Sequence, residues 1–254
     1  MGAFRGLCLA AAAWFALAAA TALADETPSA GAAPLQLSFA APVQLVPESR
    51  DVSGLRLTLF YGKNAGVSGL DIAALGFSQS GTLAGVQLSL FANAVEGRTT
   101  GLQASLLANG AGQLSGVQVG GIIANFAREG GHGVQVGVSN FAGGKFSGVQ
   151  IGLIGSAFRT DWATLDFAGV QIGVINLVNG DVSGVQVGAL NGEGIKEGKL
   201  SGVQIGAVNF AGECKGLQIG IFNSCRDMRG VQIGLINHIA EGAVRWLPIA
   251  NAKF

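Results

Sequence analysis

The residues that could carry out chemistry are few in this chain, and they are widely separated. His132 and His238 lack the His, Cys or carboxylate neighbours that a zinc site places at short spacing. No Gly-x-Ser-x-Gly motif exposes a nucleophilic serine, and no Gly-Lys-Ser/Thr follows the glycine-rich stretches to hold a phosphate. We therefore predict a protein that is not an enzyme and that uses no metal or cofactor.

The longest excursion between repeated segments, at 159–167, is the best candidate for a recognition loop. It carries Arg159, Asp161, Trp162 and Asp166, so it offers both charges and a large aromatic ring. Binding residues are often found on loops that a rigid scaffold positions. The alternative is an ordinary solvated loop tip.

A glutamine recurs near the start of most repeated segments, and it could line a pore or bind a polar ligand. The alternative is that the glutamines satisfy one another and the adjacent backbone, as buried amides must. The clearest positions are Gln118, Gln135, Gln150, Gln171, Gln186, Gln204, Gln218 and Gln232, with Gln87 and Gln103 before them.

The repeated segment reads Gly-hydrophobic-x-hydrophobic, usually with Gln third and Gly or Ser fifth, and it begins eleven times. Such self-similarity is the signature of a repeat architecture. In the copy at 169–176, Gly and Gln alternate with Val and Ile, which predicts a β-strand. The copies begin at Gly69, Gly85, Gly101, Gly116, Gly133, Gly148, Gly169, Gly184, Gly202, Gly216 and Gly230.

Two arrangements of these strands are open. Asn179-Gly180 is the preferred residue pair of a tight hairpin turn, which favours antiparallel strands. A solenoid would have to fit two strands and two corners into each copy, and the copies are short for that. That register sets Gln171 opposite Gly188, so a Gly188→Val substitution would press on Gln171 and impair folding more than Gly192→Val. We predict an all-β antiparallel up-and-down meander, closed as a barrel of about 14 strands. The alternative is a parallel β-solenoid with Gln and Asn ladders.

A barrel would place its Val/Ile/Leu face against lipid and its Gly/Gln face in the lumen. We therefore expect a structural or pore-forming outer-membrane protein whose partner is outer-membrane lipid. On the solenoid alternative, the protein is a secreted or surface-attached binding or adhesion module. If Cys214 and Cys225 flank one extended strand, their eleven-residue separation spans roughly 36 Å. A bond between them would count against the meander.

The N-terminus has the features of an exported protein. Arg5 precedes an apolar run that ends near Ala22-Leu23-Ala24, so we predict a secretory signal peptide at 1–24, a disordered segment at 25–34 and a single β-repeat domain at 35–254. Removing Arg5 reduces the 15 basic residues of the whole chain to 14, against 15 acidic ones. This balance gives nucleic acid no basic surface to bind. The predicted location is the outer membrane or cell surface, with the periplasm as the alternative.

Several segments carry a family resemblance together. They are units such as Gly230-Val-Gln-Ile-Gly-Leu-Ile-Asn237, the upstream segment 54–64, and Leu247-Pro-Ile-Ala-Asn251 followed by the terminal Phe254. In this combination the chain resembles the leptospiral-type bacterial surface-repeat proteins, which are exported and poorly characterised. The resemblance covers nearly all of the chain after residue 24. It implies a cell-envelope or surface protein, and it assigns no activity to particular residues.

Overall fold

The computed structural model describes residues 31–120, 122–157, 165–193 and 198–254. All regular elements in these ranges are β-strands, which confirms the predicted all-β class. The described residues include no helix long and apolar enough to cross a membrane. The predicted signal peptide and residues 25–30 lie outside the described ranges. The chain forms two compact units with a boundary between Val119 and Gly120.

Strands β1 to β6 lie in unit 1, except for Gly120 at the end of β6, and strands β7 to β17 lie in unit 2. The bounds in unit 1 are Ala33–Ala40, Val43–Gln44, Val52–Ala73, Phe77–Ser89, Ala92–Ser105 and Ala108–Gly120. The bounds in unit 2 are Ala124–Ala127, Gly131–Val136, Ser139–Ala142, Phe146–Ile151, Ile154–Ala157, Phe167–Ile172, Ile175–Val178, Val182–Val187, Leu190–Glu193, Lys199–Ile239 and Trp246–Lys253.

Equivalent positions of successive copies lie side by side on parallel strands. In unit 2, β12 and β14 pair Gln171 with Gln186, and β13 and β15 pair Asn176 with Asn191. In unit 1, β3, β4 and β5 are also parallel and pair the first glycines of their copies. The predicted antiparallel meander and closed barrel are therefore wrong, and each unit is a parallel β-solenoid, which is the alternative that the sequence left open. When identical residues stack on neighbouring turns, each side-chain amide can hydrogen-bond to the equivalent amide of the next turn. In the antiparallel register Gln171 would face Gly188 and would have no amide partner.

One turn of the solenoid accommodates two strands because both are short. β12 has six residues and β13 has four, and a corner at 173–174 joins them. The connection 179–181 then leads to β14, where Val182 pairs with Phe167 fifteen residues earlier. We call the longer strand of each turn strand a and the shorter one strand b. The longer excursions of the sequence lie in the connection from strand b to the next strand a.

The first glycine of each copy is required by the close approach of neighbouring turns. Gly184 has a φ of +142°, a conformation that L side chains rarely adopt. A Cβ atom at this position would also collide with the carbonyl group of Gly169 in the preceding turn. The regular spacing of this glycine in the sequence therefore reflects the stacking of the turns.

Strands outside the repeat pair with the first and last turns. In unit 1, β1 runs parallel to β3 and pairs Leu37 with Leu57, and β2 folds back antiparallel on β1. In unit 2, β17 runs antiparallel to the last turn of β16 and pairs Asn251 with Gln232. These strands occupy edge hydrogen-bonding groups that the terminal turns of a solenoid would otherwise expose.

Cys214 and Cys225 form a disulfide inside unit 2, with their Cα atoms 6.2 Å apart. Both side chains are buried. A parallel solenoid brings them together because the chain circles back on itself within the eleven residues that separate them. This is the bond that an extended strand in a meander excludes.

Candidate binding surface

The eight predicted glutamines lie in the interior, where each is at most 1% exposed. The Nε2 atom of each donor points to the preceding turn: Gln186 donates to Oε1 of Gln171 and Gln204 donates to Oε1 of Gln186, both at 2.8 Å. In unit 1, Gln118 donates to Gln103 in the same direction at 2.8 Å. These amides bond to one another inside the fold and are out of reach of a ligand in solvent.

The asparagines at the eighth position of the copies form a second ladder that runs in the opposite direction. Nδ2 of Asn191 donates to Oδ1 of Asn209 in the following turn at 2.9 Å, and also to the backbone carbonyl of Ile205 at 2.9 Å. Gly155 interrupts this ladder. One turn later, Oδ1 of Asn176 is buried and has no hydrogen-bond partner among the described residues.

In unit 1 the glutamine ladder ends on a buried ion pair. Gln87 donates to Oδ2 of Asp71 at 2.9 Å. Arg56 donates to the same carboxylate from Nε at 2.8 Å and from Nη2 at 2.5 Å, and both charged side chains are fully buried. The donors of the ladder all point towards Asp71, so the carboxylate favours their orientation while Arg56 balances its charge. The pair organises the stack and is inaccessible to a substrate.

Only part of the predicted recognition loop is described. Arg159, Asp161 and Trp162 lie outside the described residues. Asp166 forms a 3.0 Å ion pair with Lys145 and accepts a hydrogen bond from a backbone amide of the following turn. The described part of this loop, which includes Asp166, therefore belongs to the connection between strand b and strand a.

The histidines are not gathered into a metal site. His132 is exposed on β8, whereas Nδ1 of His238 lies 3.1 Å from Oγ of Ser224. The ring of His238 also stacks on Trp246, with ring centroids 4.0 Å apart. No group of three or more His, Cys, Asp or Glu side chains in the described ranges could hold a metal ion.

Glu193 is a buried acid in unit 2. It takes the interior position that Val178 occupies one turn earlier, and it is 3% exposed. Burial raises the pKa of its carboxyl to about 9, the charge of Asp181 adds to the rise, and the backbone N–H of Gly212 opposes it. The N–H of Gly212 donates its hydrogen bond to the carbonyl oxygen of Gly198 at 3.1 Å, and neither carboxylate oxygen of Glu193 has a hydrogen-bond partner among the described residues. Glu193 is therefore neutral at pH 7 and faces away from solvent.

The outward side chains of strand a in unit 2 are apolar. In β12, Phe167 and Gln171 are buried, whereas Ile172 is exposed. Two outward columns, at the second and fourth positions of the copies, contain only Val, Ile and Leu. They are Val134, Val149, Val170, Val185, Val203, Leu217 and Val231, and Val136, Ile151, Ile172, Val187, Ile205, Ile219 and Ile233.

The apolar columns continue around the corner onto strand b. At the corner, Leu153 is 54% exposed and Leu235 is 70% exposed. On strand b, Ile175 is outward and partly exposed whereas Asn176 is buried. The corner column is Val138, Leu153, Val174, Ala189, Ala207, Ile221 and Leu235. The strand-b column begins in the second turn, after the buried Ser139 of the first, and is Ile154, Ile175, Leu190, Val208, Phe222 and Ile236. We call these four columns the apolar surface.

The charges of unit 2 are concentrated away from the apolar surface. None of the four columns contains a charged residue. Lys199 pairs with Glu213 at 3.2 Å and Arg226 pairs with the same carboxylate at 3.4 Å, in the connections from strand b to strand a. We call these connections the charged edge. A turn of unit 2 is thus apolar at its corner and charged at the opposite side.

Unit 1 has an apolar groove of its own, between β1, β2 and β3. The groove has a volume of 690 Å³ and is lined mainly by aliphatic and aromatic side chains. Leu37, Phe39, Val43, Leu45 and Leu57 are among them, and Phe39 packs edge-on against Phe60. The outward surface of unit 1 is therefore apolar at this end as well.

The sequence predicts that the Val, Ile and Leu positions face lipid on a barrel wall. The structure keeps these positions outward but places them on two strands of a solenoid turn. The change of direction at the corner could not be foreseen from an antiparallel register. Its signal in the sequence is the Gly at the fifth position followed by an exposed apolar residue at the sixth, as in Gly234-Leu235.

No protein-family model, curated protein or solved structure matches the chain. The apolar surface is therefore the feature from which a function can be argued. The seven copies of unit 2, stacked at roughly 4.8 Å, make this surface about 30 Å long. An apolar area of that length, on two adjoining faces, exceeds what monomeric soluble proteins usually expose.

Proposed function

We propose that the protein is a non-enzymatic β-solenoid of the cell envelope or cell surface that acts as a binding module through the apolar surface of unit 2. The supporting observation is the distribution of polarity. The Gln and Asn side chains are buried in ladders, whereas the Val, Ile and Leu side chains of the four columns point outward. An uncovered surface of this kind is suited to contact with a partner.

Two features of the sequence support an exported location. The predicted signal peptide at 1–24 directs the chain out of the cytoplasm, and the resemblance to leptospiral-type surface-repeat proteins implies a place in the envelope. The proposed location is the outer membrane or cell surface, with the periplasm as the alternative. A disulfide between Cys214 and Cys225 is compatible with such an oxidising compartment.

A matched pair of substitutions on one strand tests the proposal. Ile205→Glu puts a charge on the apolar surface, whereas Ser201→Glu puts the same charge at the exposed start of the same strand. We expect residues 25–254 to bind isolated bacterial envelopes in a sedimentation assay. Ile205→Glu should weaken binding at least tenfold because an unpaired charge would be buried, and Ser201→Glu should change it less than about threefold. Equal binding by both folded variants would contradict the proposal.

A further inference from the structure

The apolar surface of unit 2 lies on two faces that meet at the corner. The corner side chains are the most prominent, with Ile221 56% exposed and Leu235 70% exposed. The strand-a columns lie on one side of this ridge and the strand-b column lies on the other. A flat protein surface laid on one face would leave the other face uncovered. A fluid partner conforms to both faces and to the ridge between them.

The position of the charges indicates which fluid partner fits. The ion pairs of Glu213 with Lys199 and Arg226 lie on the charged edge, at the other side of the turn. Unit 2 has ten basic and nine acidic residues, so its excess of positive charge for an anionic surface is small. A unit whose turns are apolar at one side and charged at the other, with nearly balanced charges, fits an interface between hydrocarbon and water.

We infer that unit 2 binds a lipid leaflet, with the corner column deepest in the hydrocarbon and the charged edge in water. This inference rests on the proposed binding function and identifies its partner as the acyl region of a phospholipid layer. Insertion is into one leaflet and leaves the solenoid on one side of the membrane.

The dimensions of strand a agree with such an insertion. The apolar part of this turn runs from Val185 on β14 to the corner residue Ala189, a length of at most about 13 Å at ~3.3 Å per residue. The hydrocarbon of one leaflet is roughly 15 Å thick. Ser183, an exposed residue two positions before Val185, then lies at the level of the headgroups. The apolar part of the turn therefore matches the depth of a leaflet.

Co-flotation with vesicles of pure phosphatidylcholine tests this inference. We expect residues 25–254 to float with these zwitterionic vesicles, and raising the salt from about 50 mM to about 500 mM to change the bound fraction by less than about twofold, because no charge attraction is involved. The double variant Leu153→Glu/Leu235→Glu should lose at least thirtyfold in partitioning because its charges enter hydrocarbon. The control Ser147→Glu/Ser183→Glu should lose less than threefold.

A probe of depth adds a readout that a general loss of folding does not imitate. An environment-sensitive fluorophore on Leu235→Cys should shift to shorter wavelength with vesicles and be quenched by lipids brominated deep in the acyl chain. The same fluorophore on Lys199→Cys should do neither. Retention of the Cys214–Cys225 disulfide, together with a β-type circular dichroism spectrum, checks that each variant is folded.

Three results would overturn the inference. The chain could stay in solution with the vesicles, the two double variants could partition equally, or light scattering could show a dimer that only the leucine variant dissociates while neither form floats. In the last case a second copy covers the apolar surface. If the chain still binds isolated envelopes but not pure vesicles, the lipid inference fails and the proposed binding function stands.

Discussion

Glu193 gives the sharpest test of the interior of unit 2, because its burial makes stability depend on pH in a direction opposite to that of a paired acid. The pKa of its carboxyl is raised from 4.5 to about 9 in the fold. The folded state therefore holds the proton over a pH range in which the unfolded chain releases it. The contribution of Glu193 to stability is fully present below pH 4.5 and is lost as pH rises towards 9.

The size of the loss follows from the two pKa values. At about 1.4 kcal/mol per pH unit, it reaches ~3 kcal/mol at pH 7 and ~6 kcal/mol at pH 9, for a rise that begins at 4.5. Glu193→Gln has nearly the same shape and does not titrate, so other acids cancel when the two proteins are compared. We expect the unfolding free energy of the native chain, minus that of Glu193→Gln, to fall steadily between pH 5 and pH 9.

Urea unfolding of residues 25–254, followed by circular dichroism at several pH values with the disulfide intact, measures this difference. The carboxyl ¹³C shift of labelled Glu193 gives its pKa directly. Asp181→Asn should move the titration to lower pH, because the charge of Asp181 contributes to the rise. A difference in unfolding free energy that stays constant from pH 5 to pH 9, with a ¹³C titration near 4.5, would refute the reasoning.

Three further predictions concern the ladders and the packing of turns. Gly155→Asn should fill the gap in the asparagine ladder and raise the unfolding free energy by about 1–2 kcal/mol, whereas a Gly155→Asn variant less stable than Gly155→Ala would contradict this. Gly188→Val should lower the urea midpoint more than Gly192→Val. A Cβ at 188 would lie 2.5 Å from the backbone carbonyl oxygen of Gly173, which cannot move without shifting the preceding turn, whereas a Cβ at 192 would collide with the ring of Phe210, a half-buried side chain that can rotate away. Equal midpoints would count against the stacking. Arg56→Gln should cost about 3–5 kcal/mol by leaving Asp71 unpaired, and adding Asp71→Gln should recover most of it in the same assay.

The strands could be predicted from the sequence, but their direction could not. The alternation within 169–176 identifies a strand in either topology. Asn179-Gly180 suggested a hairpin, yet in the structure it lies in the connection between β13 and β14. The sequence-based register and the structure both rank Gly188→Val as the more damaging substitution, for different reasons. In the structure the contact is the carbonyl of Gly173 and not the side chain of Gln171.

The contacts that distinguish parallel from antiparallel strands join residues that are far apart in the sequence. The glutamine repeats every 14 to 21 residues, and this spacing fits both arrangements. In an antiparallel hairpin the glutamine faces a glycine, whereas in a parallel solenoid it faces the equivalent glutamine of the next turn. What separates these cases is the bond from Gln186 to Gln171, which requires three-dimensional stacking. The disulfide between Cys214 and Cys225 also distinguishes the two arrangements, because cysteines at the two ends of one extended strand are too far apart to form it.

The exchange of polarity between inside and outside connects the fold to the proposed function. In most solenoids, apolar side chains fill the interior and the outer face is free to be polar. Here Gln204 and Asn209 occupy much of the interior of their turn and are fully buried. They are stabilised by bonds to equivalent amides in the neighbouring turns. Because these bonds hold the turns together, Ile205 between the two amides is not needed in the core, and it remains 40% exposed. The apolar surface is therefore available for binding as a direct consequence of how the interior is built.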